Sequence, residues 1–285
     1  MRDAKRLAVS LALTSLFPFS VTNARTNDLC GDASDTFVVI DPPGATFVSA
    51  TGINPQGDVV GRYIAGGVTH AFLLSEGNFH TIDVPGASFT AGRSINPQGH
   101  IVGNYTSSGV GHGFLLRDGV FQSIDVPGAA ATTAFGINAR GDIAGIVSSG
   151  GDHGYLLRKE DFTTFDFPGA SRTQPFAMND RGDIVGTYTT DGVVHGFLFS
   201  NGAFTTVVIP GASSTIAAGI NPQRDIVGEY TSAGVTRGFL LSGDTLTTIV
   251  VPGATLTNAL GINSGGAIVG RYVVGGVSHG YLLCK

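Results

Sequence analysis

Five histidines recur along the chain at regular intervals, and histidine is the side chain best suited to metal binding and to proton transfer near neutral pH. Each stands in the motif His-Gly-Phe-Leu-Leu or a close variant, and His153 and His279 are both followed by Gly-Tyr-Leu-Leu. Their positions are His70, His112, His153, His195 and His279. These residues are therefore the first candidates for a metal or acid–base site.

Aspartates follow three of these histidines at a spacing that a tight hairpin would bring face to face. Asp118-Gly119 has the composition of a two-residue type I′ turn, and counting outwards from it sets His112 opposite Asp125. The same count gives the pairs His70 with Asp83 and His153 with Asp166. We therefore expect imidazole–carboxylate pairs across single hairpins.

A metal site and a structural role differ in how close together the histidines must lie. Zinc ligands must all lie about 2 Å from one metal ion. In a ring of repeats, the strands that would carry the histidines lie on the order of 10 Å or more from the axis. We therefore interpret the pairs as devices that hold strand register, and the sequence predicts no metal site, no cofactor and no catalytic residue.

A second recurring residue type is the tyrosine that follows an Ile-Val-Gly motif in five repeats. A ring of aromatic side chains could stack on sugars, but identical strand positions favour packing between neighbouring repeats, beside the glycine of the motif. We therefore expect a structural role for these side chains. They are Tyr63, Tyr105, Tyr188, Tyr230 and Tyr272, with Val147 in the remaining repeat.

Positions at which the repeats differ are better candidates for binding, because the scaffold explains the shared ones. Two variable columns lie in the second predicted strand of each repeat, which we expect to be innermost. They hold Ser49, Ala91, Thr133, Gln174, Ile216 and Asn258, and Thr51, Arg93, Phe135, Phe176, Ala218 and Leu260. Neither column contains a carboxylate, so the paired acids of a glycosidase are absent from the expected wall. The side chains that we expect to face a ligand are Arg93, Phe135, Gln174, Phe176 and Asn258.

The period that spaces all these residues is the strongest fold signal in the sequence. A Gly-Ile-Asn motif, Met-Asn in one copy, recurs in steps of 42, 42, 41, 42 and 42 residues and ends at Asn54, Asn96, Asn138, Asn179, Asn221 and Asn263. Asn54-Pro55-Gln56-Gly57 has the composition of a type I turn, and Asn201-Gly202 that of a type I′ hairpin. We place the residue missing from the short step at the charged turn 158–161, interpreted as a solvated loop.

Four short strands per repeat, in six copies over residues 37–285, predict an all-β fold and a six-bladed β-propeller. The 43 Gly and 12 Pro fit short strands with tight turns and exclude helical repeats. A β-solenoid would have shorter repeats without regular two-residue hairpins. In the fifth repeat the predicted strands are 204–209, 215–221, 225–230 and 236–241.

The two ends of the repeat region are complementary. Residues 37–41 form a strand with no preceding hairpin partner, and residues 279–283 form one with no following partner. Their pairing would set His279 opposite Asp41 and close the ring without an exposed edge. Cys30 and Cys284, the only cysteines, lie just outside this seam. In an exported chain they predict a disulfide, with two unrelated thiols as the alternative.

The first 24 residues have the layout of a secretory signal peptide. Basic residues precede an apolar stretch at 7–21 that is short and broken by Pro18, and cleavage is expected before Arg25. A lipoprotein is the competing interpretation, but the residues before Cys30 are not the small ones that lipidation favours. We therefore predict a secreted or periplasmic protein with no membrane span after cleavage, in which residues 25–36 precede the repeats.

The charge of the mature chain bears on its partners. The leader takes three basic and one acidic residue from the 16 basic and 21 acidic residues, so the net charge falls from −5 to −7. An acidic protein is poorly suited to nucleic acid. We expect a monomer with an extracellular ligand, either a glycan or a surface protein.

The motifs Gly-Ile-Asn, Ile-Val-Gly and His-Ala-Phe-Leu-Leu at 70–74 together resemble the HAF repeat family of extracellular bacterial proteins. The resemblance covers all six copies. This chain departs from it where Gly replaces the Ala of the tripeptide after the first copy, where Arg237 replaces its His, and where Val-Pro-Gly-Ala replaces a Leu-Gly-rich turn. The resemblance implies export and a propeller-like repeat. It implies no established activity and assigns no functional residue.

These observations favour a binding or interaction module that is not an enzyme. No Gly-x-Ser-x-Gly elbow, His-Glu-x-x-His helix or phosphate loop occurs in the sequence. A propeller enzyme, a lyase or hydrolase acting on polysaccharide or peptide, is the alternative. A purely structural surface protein is the third.

Overall fold

Every secondary-structure element that the computed structural model describes, over residues 16–17 and 35–285, is a β-strand. No helix of the length and apolarity required to cross a bilayer occurs in these residues. The strands, labelled β1 to β25 in chain order, form antiparallel units of four. Within a unit they are called first to fourth, in the order in which they pair. The first strand of a unit is thus the strand predicted as second in each repeat.

The first strands are β3 (Phe47–Ile53), β7 (Phe89–Ile95), β11 (Ala131–Ile137), β15 (Arg172–Met178), β19 (Ser214–Ile220) and β23 (Leu256–Ile262). The second strands are β4 (Val59–Ala65), β8 (Ile101–Ser107), β12 (Ile143–Ser148), β16 (Ile184–Thr190), β20 (Ile226–Ser232) and β24 (Ile268–Val274).

The third strands are β5 (Val68–Ser75), β9 (Val110–Arg117), β13 (Asp152–Arg158), β17 (Val193–Ser200), β21 (Val235–Ser242) and β25 (Val277–Leu283). The fourth strands are β6 (Asn78–Thr81), β10 (Val120–Ile124), β14 (Asp161–Phe165), β18 (Ala203–Val207), β22 (Thr245–Ile249) and β2 (Phe37–Ile40). A two-residue strand, β1 (Leu16–Phe17), runs parallel to β2.

The last unit takes its fourth strand from the other end of the chain. β2 pairs antiparallel with β25, and Phe37 lies opposite Leu283. His279 Nδ1 lies 2.6 Å from the carboxylate of Asp41, which directly follows β2. The strand pairing predicted for the two chain ends is therefore present.

The predicted disulfide concerns residues just outside this pairing. Cys284 follows β25 and is buried. Cys30 lies outside the described residues, as does nearly all of the predicted signal peptide. The disulfide, the cleavage site and the boundary at residues 25–36 therefore stay predictions.

Neighbouring units are held together mainly by apolar side chains. Val60 of β4 lies in one buried cluster with Ile101 and Phe114 of the following unit. A single parallel bridge, Thr69 with Phe89, also joins β5 to β7. Each unit thus covers the apolar face of the next, as packed sheets must.

The turns follow the local rules that their sequences suggested. The N–H of Gly57 donates to the carbonyl of Asn54 at 3.0 Å, and the Asn54 Oδ1 accepts from the N–H of Asp58 at 2.8 Å. Asn201 and Gly202 have φ of 52° and 79°, the two positive values that a type I′ turn requires.

The imidazole–carboxylate pairs are confirmed. The Nδ1–carboxylate distance is 2.6 Å for His70–Asp83 and 2.8 Å for both His112–Asp125 and His153–Asp166. Each pair lies within one unit and joins its third strand to the residues after its fourth strand. Within residues 35–285 no group of three or more His, Cys, Asp or Glu side chains is placed to hold a metal ion.

The tyrosines contact their own units and also lie in the apolar clusters between units, as Tyr105 does with Val60, in agreement with the predicted packing between repeats. The prediction that they fill the space beside the motif glycine is wrong. Tyr105 stacks on His112 of the adjacent strand at 5.0 Å between ring centroids, and its hydroxyl is 2.5 Å from that of Ser123. The ring beside Gly103 belongs to Phe114, which an added Cβ would approach within 2.7 Å. The tyrosine therefore links the second, third and fourth strands of one unit.

The residue missing from the period is not lost at the charged turn 158–161. There Arg158 pairs with Asp161 around a two-residue turn, as in the other hairpins. The loss falls in the connection between β12 and β13. Three residues separate the paired Ser148 and Asp152, whereas four separate the equivalent pair Thr106 and Gly111. Asp152 therefore corresponds to Gly111 of the preceding unit, and Gly151 stands where that unit has the exposed Val110.

Gly103→Ala is expected to destabilise the fold strongly. The added Cβ would lie 2.1 Å from the carbonyl oxygen of Ala91, and backbone cannot move away cheaply. We expect a loss of about 3 kcal/mol or more in the free energy of unfolding, measured by urea denaturation. Gly111→Ala in the same unit is the control, because its Cβ would meet only the Ala131 side chain at 3.5 Å. Equal losses in the two variants would contradict the steric explanation.

Asp83→Ala is expected to cost about 1–3 kcal/mol of stability, because the carboxylate also accepts the buried N–H of Ala71 at 3.1 Å. His195 provides a matched comparison, since Val208 stands where four of the units have the aspartate. Removal of its imidazole in His195→Ala should cost less. Urea unfolding of both variants checks this, and a larger loss for His195→Ala would refute the register role of the carboxylate.

Candidate functional site

A cavity of about 310 Å³ opens where the first strands of the units converge. First and second strands supply its walls. Three arginines, one carboxylate and two phenylalanines give it its chemistry, and we call it the arginine cavity. These side chains are Arg62, Arg93, Arg271, Glu229, Phe135 and Phe176.

A β-bulge in each first strand turns one side chain toward the centre. In β3 the register with β4 shifts between Ala50 and Gly52, so Thr51 is the extra residue. Such an insertion bends the strand and re-aims a side chain. The residues at the six shifts are Thr51, Arg93, Phe135, Phe176, Ala218 and Leu260. They coincide with the second variable column of the sequence.

Four of the five residues expected to face a ligand line the arginine cavity, namely Arg93, Phe135, Phe176 and Asn258. Gln174 does not. Its Nε2 donates to Asp152 at 2.8 Å, beside the ion pair of that carboxylate with Arg172. Asp152 begins β13 of the preceding unit, so Gln174 belongs to a polar network at the edge of two units.

Second strands contribute charges that the sequence reasoning missed. Arg62, Glu229 and Arg271 follow the glycine of the Ile-Val-Gly motif, and Glu229 adds one carboxylate to the wall but not the pair that a glycosidase uses. Glu229 pairs across the ladder with Ile216 of the first variable column. The sequence signal that could have identified these charges is a third column in which the repeats differ. It runs Arg62, Asn104, Ile146, Thr187, Glu229 and Arg271.

Arg93 is held on one side by an aromatic ring and on the other by an amide. Its guanidinium lies 4.8 Å from the ring centroid of Phe135, which itself meets Phe176 edge-on at 5.1 Å. Its Nε donates to Asn104 Oδ1 at 3.0 Å. Phe135 is thus a platform for the guanidinium, a cation–π contact that orients the charge.

Arg62 and Arg271 share a second aromatic platform. Their guanidinium carbons lie 5.2 and 5.5 Å from the ring centroid of Phe47, at the start of β3. Arg271 Nε donates to Asn258 Oδ1 at 2.7 Å. The Nε of Arg62 is buried and has no hydrogen-bond partner. One strong donor in the cavity is therefore unused.

The charges of the cavity are not neutralised by ion pairs with the described residues. Burial, with Arg62 as the second cause, lowers the pKa of Arg93 to about 9. Burial and then Arg271 lower the pKa of Arg62. Burial raises the pKa of Glu229, and Arg271 opposes this rise. Positive charge is thus concentrated in a protein whose net charge is negative.

A second cavity, of about 150 Å³, lies on the other side of the bulge residues, among the asparagines of the type I turns. Its amides bond to one another's backbone, as Asn96 Nδ2 does to the Asn138 carbonyl at 3.2 Å and Asn263 Nδ2 to that of Asn54 at 3.2 Å. Their side-chain oxygens accept turn N–H groups, as Asn96 does from His100. These polar groups serve the scaffold, which leaves the arginine cavity as the candidate site.

Solved structures similar to this chain include a domain that is described as a β-propeller. The β-propeller domain of the Trilobed protease from Pyrococcus furiosus is 10% identical, with a TM-score of 0.54 over 84% of this chain and 82% of that one. A protein of Agrobacterium tumefaciens assigned as TolB is 14% identical, with a TM-score of 0.57 over 84% and 90%. The virginiamycin B lyase from Staphylococcus aureus is 12% identical, with a TM-score of 0.53 over 88% and 99%.

Identities this low define the fold alone. The chain is accordingly an all-β protein of the β-propeller class. No protein-family model matches the sequence, and no curated protein matches it.

Arg93→Met is expected to stabilise the protein. Because the pKa of Arg93 is lowered in the folded state, the unfolded chain holds this proton more tightly, and the charge opposes folding at neutral pH. We expect the Tm to rise by about 2–4 °C, the shift that 1 kcal/mol gives in a domain of about 200 residues.

Arg224→Met is the matched control for that measurement. Arg224 forms a two-point ion pair with buried Asp183, with nitrogen–oxygen distances of 2.8 and 3.0 Å. Its loss leaves a buried carboxylate without its cation, so the Tm should fall. A lower Tm for Arg93→Met as well would show that Arg93 stabilises the fold and is not an unpaired cost.

Proposed function

We propose that the protein is an exported binding module whose ligand enters the arginine cavity. One observation carries the proposal: the residues that differ between repeats meet in this cavity, while the repeated residues are used in turns, ladders and packing. Phe135 and Arg93, for example, occupy the same bulge position in successive units but differ in size and charge. Variable residues that meet on one concave surface are typical of a binding site on a repeated scaffold.

We further propose that the units form a single closed ring of six blades. The antiparallel pairing of β2 with β25 supports this, since it places both chain ends in one sheet. A hydrogen bond from Asn263 to Asn54 supports it as well, because it continues between the last and first units the contact that Asn96 makes with Asn138. Closure of this kind removes exposed strand edges.

Export and the disulfide belong to the same proposal. The backbone of Cys284 exchanges hydrogen bonds with Asp35 and Thr36 at 2.9 and 3.0 Å. The segment that leads to Cys30 therefore starts beside Cys284, which favours a Cys30–Cys284 bond in an oxidising compartment. Kinship with the HAF repeat proteins, proposed from the motifs at 70–74, would agree with such a location.

A propeller enzyme is the second candidate, and Glu229 is the observation that favours it. This carboxylate lines the cavity with no ion pair to a described residue, and burial raises its pKa, as a general base requires. Hydrolysis of a glycoside uses two carboxyl groups, whereas elimination needs one base and cations that stabilise developing negative charge. Within this alternative, a lyase fits the cavity better than a hydrolase.

Retention of ligands by the purified exported protein on glycan and protein arrays tests the proposal. We expect one or a few ligands to be retained, and at least a tenfold loss of retention in both Arg93→Gln and Phe135→Leu. Arg117→Gln is the control, because Arg117 is an exposed residue at a hairpin far along β9 from the cavity. Folding of each variant is checked by its thermal transition.

The outcomes of the array experiment separate the candidates. Retention that survives both cavity substitutions would place the ligand elsewhere and reject the site. Breakdown of a retained polymer, lost in Glu229→Gln, would establish the enzyme instead. Retention of no ligand at all would leave the structural surface protein as the function.

A further inference from the structure

We infer that the ligand of the arginine cavity is an acidic sugar, whose anionic group binds between Arg62, Arg93 and Arg271. The inference rests on the proposed binding function and names its ligand class. A carboxylate, a sulfate ester or a phosphate would supply the anion. The cavity volume, about 310 Å³, lies at the lower end of small-molecule sites, which span roughly 300–1,000 Å³.

Unpaired charge is the first argument. Three guanidiniums and a single carboxylate line the cavity, and the ion pairs of the described residues include none of the four. A buried charge without a partner is costly, so proteins pair such groups or bind a counter-ion. With Glu229 ionised the cavity still carries two excess positive charges. A bound anion would lower that excess.

The small number of hydrogen bonds that the three guanidiniums make is the second argument. The guanidinium of Arg93 bonds to the described residues only through Nε, and that of Arg271 likewise. Arg62 makes no hydrogen bond in this part of the chain, and its Nε is buried. Since each guanidinium has five N–H donors, four on Arg93, four on Arg271 and all five on Arg62 have no hydrogen-bond partner among the described residues. Planar donor pairs of this kind match the two oxygens of a carboxylate, or those of a sulfate or phosphate.

The aromatic rings argue against a neutral sugar as the ligand. A neutral sugar is held largely by stacking on exposed ring faces. Here the face of Phe135 supports Arg93, and the face of Phe47 supports both Arg62 and Arg271. These two rings therefore position cations, and Phe176 meets Phe135 edge-to-face, so recognition falls to the guanidinium donors.

Glu229 explains why the anion should be carried by a sugar. Its carboxylate accepts hydrogen bonds and lies in the same cavity, and its cross-strand neighbourhood provides no donor, because Ile216 stands opposite. A sugar brings hydroxyl donors beside its anionic group. Glu229 would accept from a hydroxyl while the arginines hold the anion, and it would disfavour a ligand with a second anion nearby.

The test is calorimetric titration of the exported protein with matched monosaccharides. Glucuronate, glucose 6-sulfate and glucose 6-phosphate supply the three kinds of anion, and glucose is the neutral match. We expect at least one acidic sugar to bind at least tenfold more tightly than glucose. The identity of the tightest one distinguishes carboxylate from sulfate and phosphate.

Two cavity variants, Arg62→Gln and Glu229→Gln, locate the binding, and Arg117→Gln is the control. Arg62→Gln should weaken the acidic sugar at least tenfold, and Arg117→Gln should leave it unchanged. Glu229→Gln keeps an acceptor for the hydroxyl but removes the like charge, so it should tighten binding severalfold. This second variant preserves the test if Arg62→Gln fails to fold.

Equal affinity for glucose and for every acidic sugar would overturn the inference, as would weaker anion binding in Glu229→Gln. Failure of the inference remains distinct from failure of the binding function. An array ligand that depends on Arg93 but is not displaced by any acidic sugar would reject the acidic sugar and keep the cavity as a binding site. If no array ligand depends on Arg93 and no acidic sugar binds more tightly than glucose, both the acidic-sugar inference and the binding function are rejected.

Discussion

The cavity depends on one steric constraint, the close approach of the second strand to the first at the glycine of each Ile-Val-Gly motif. An added Cβ at Gly61 would lie 2.1 Å from the carbonyl oxygen of Ser49, and the ring of Phe72 closes the space on the other side. Gly61 pairs with Ala50, and the bulge residue Thr51 directly follows Ala50. Because the backbone is fixed there, the bulge residue can change from threonine to arginine or phenylalanine without disturbing the ladder.

This arrangement separates stability from recognition. Asp183 is a buried carboxylate that the scaffold neutralises, through Arg224, Ser200 and Asn179. Arg93 is a cation on the same framework that the scaffold supports with a ring and an amide but does not neutralise. Uncompensated charge opposes folding and is retained where binding requires it. The two residues thus distinguish a charge that the fold neutralises from one that has no ionic partner among the described residues.

Features set by local rules were predictable from the sequence. The type I′ turn at Asp118-Gly119 fixes the hairpin register, and the contact of His112 with Asp125 follows from counting. Gln174 was not predictable in the same way. Its amide bonds to Asp152 of the preceding unit, so its direction depends on a contact between two separate units. Glu229 was missed because the depth to which a second strand reaches depends on sheet twist.

The sequence by itself determined the repeat, the turns, the hairpin registers and the columns in which the repeats differ, because these depend on residues close together in the chain. It also identified Arg93 and Phe135 as candidates. Only the tertiary structure decided that Arg62, Arg93 and Arg271 share one cavity, and that the Arg62 Nε has no partner there. Charge pairing and burial depend on how separate units are placed around a common space, and no local pattern records that placement.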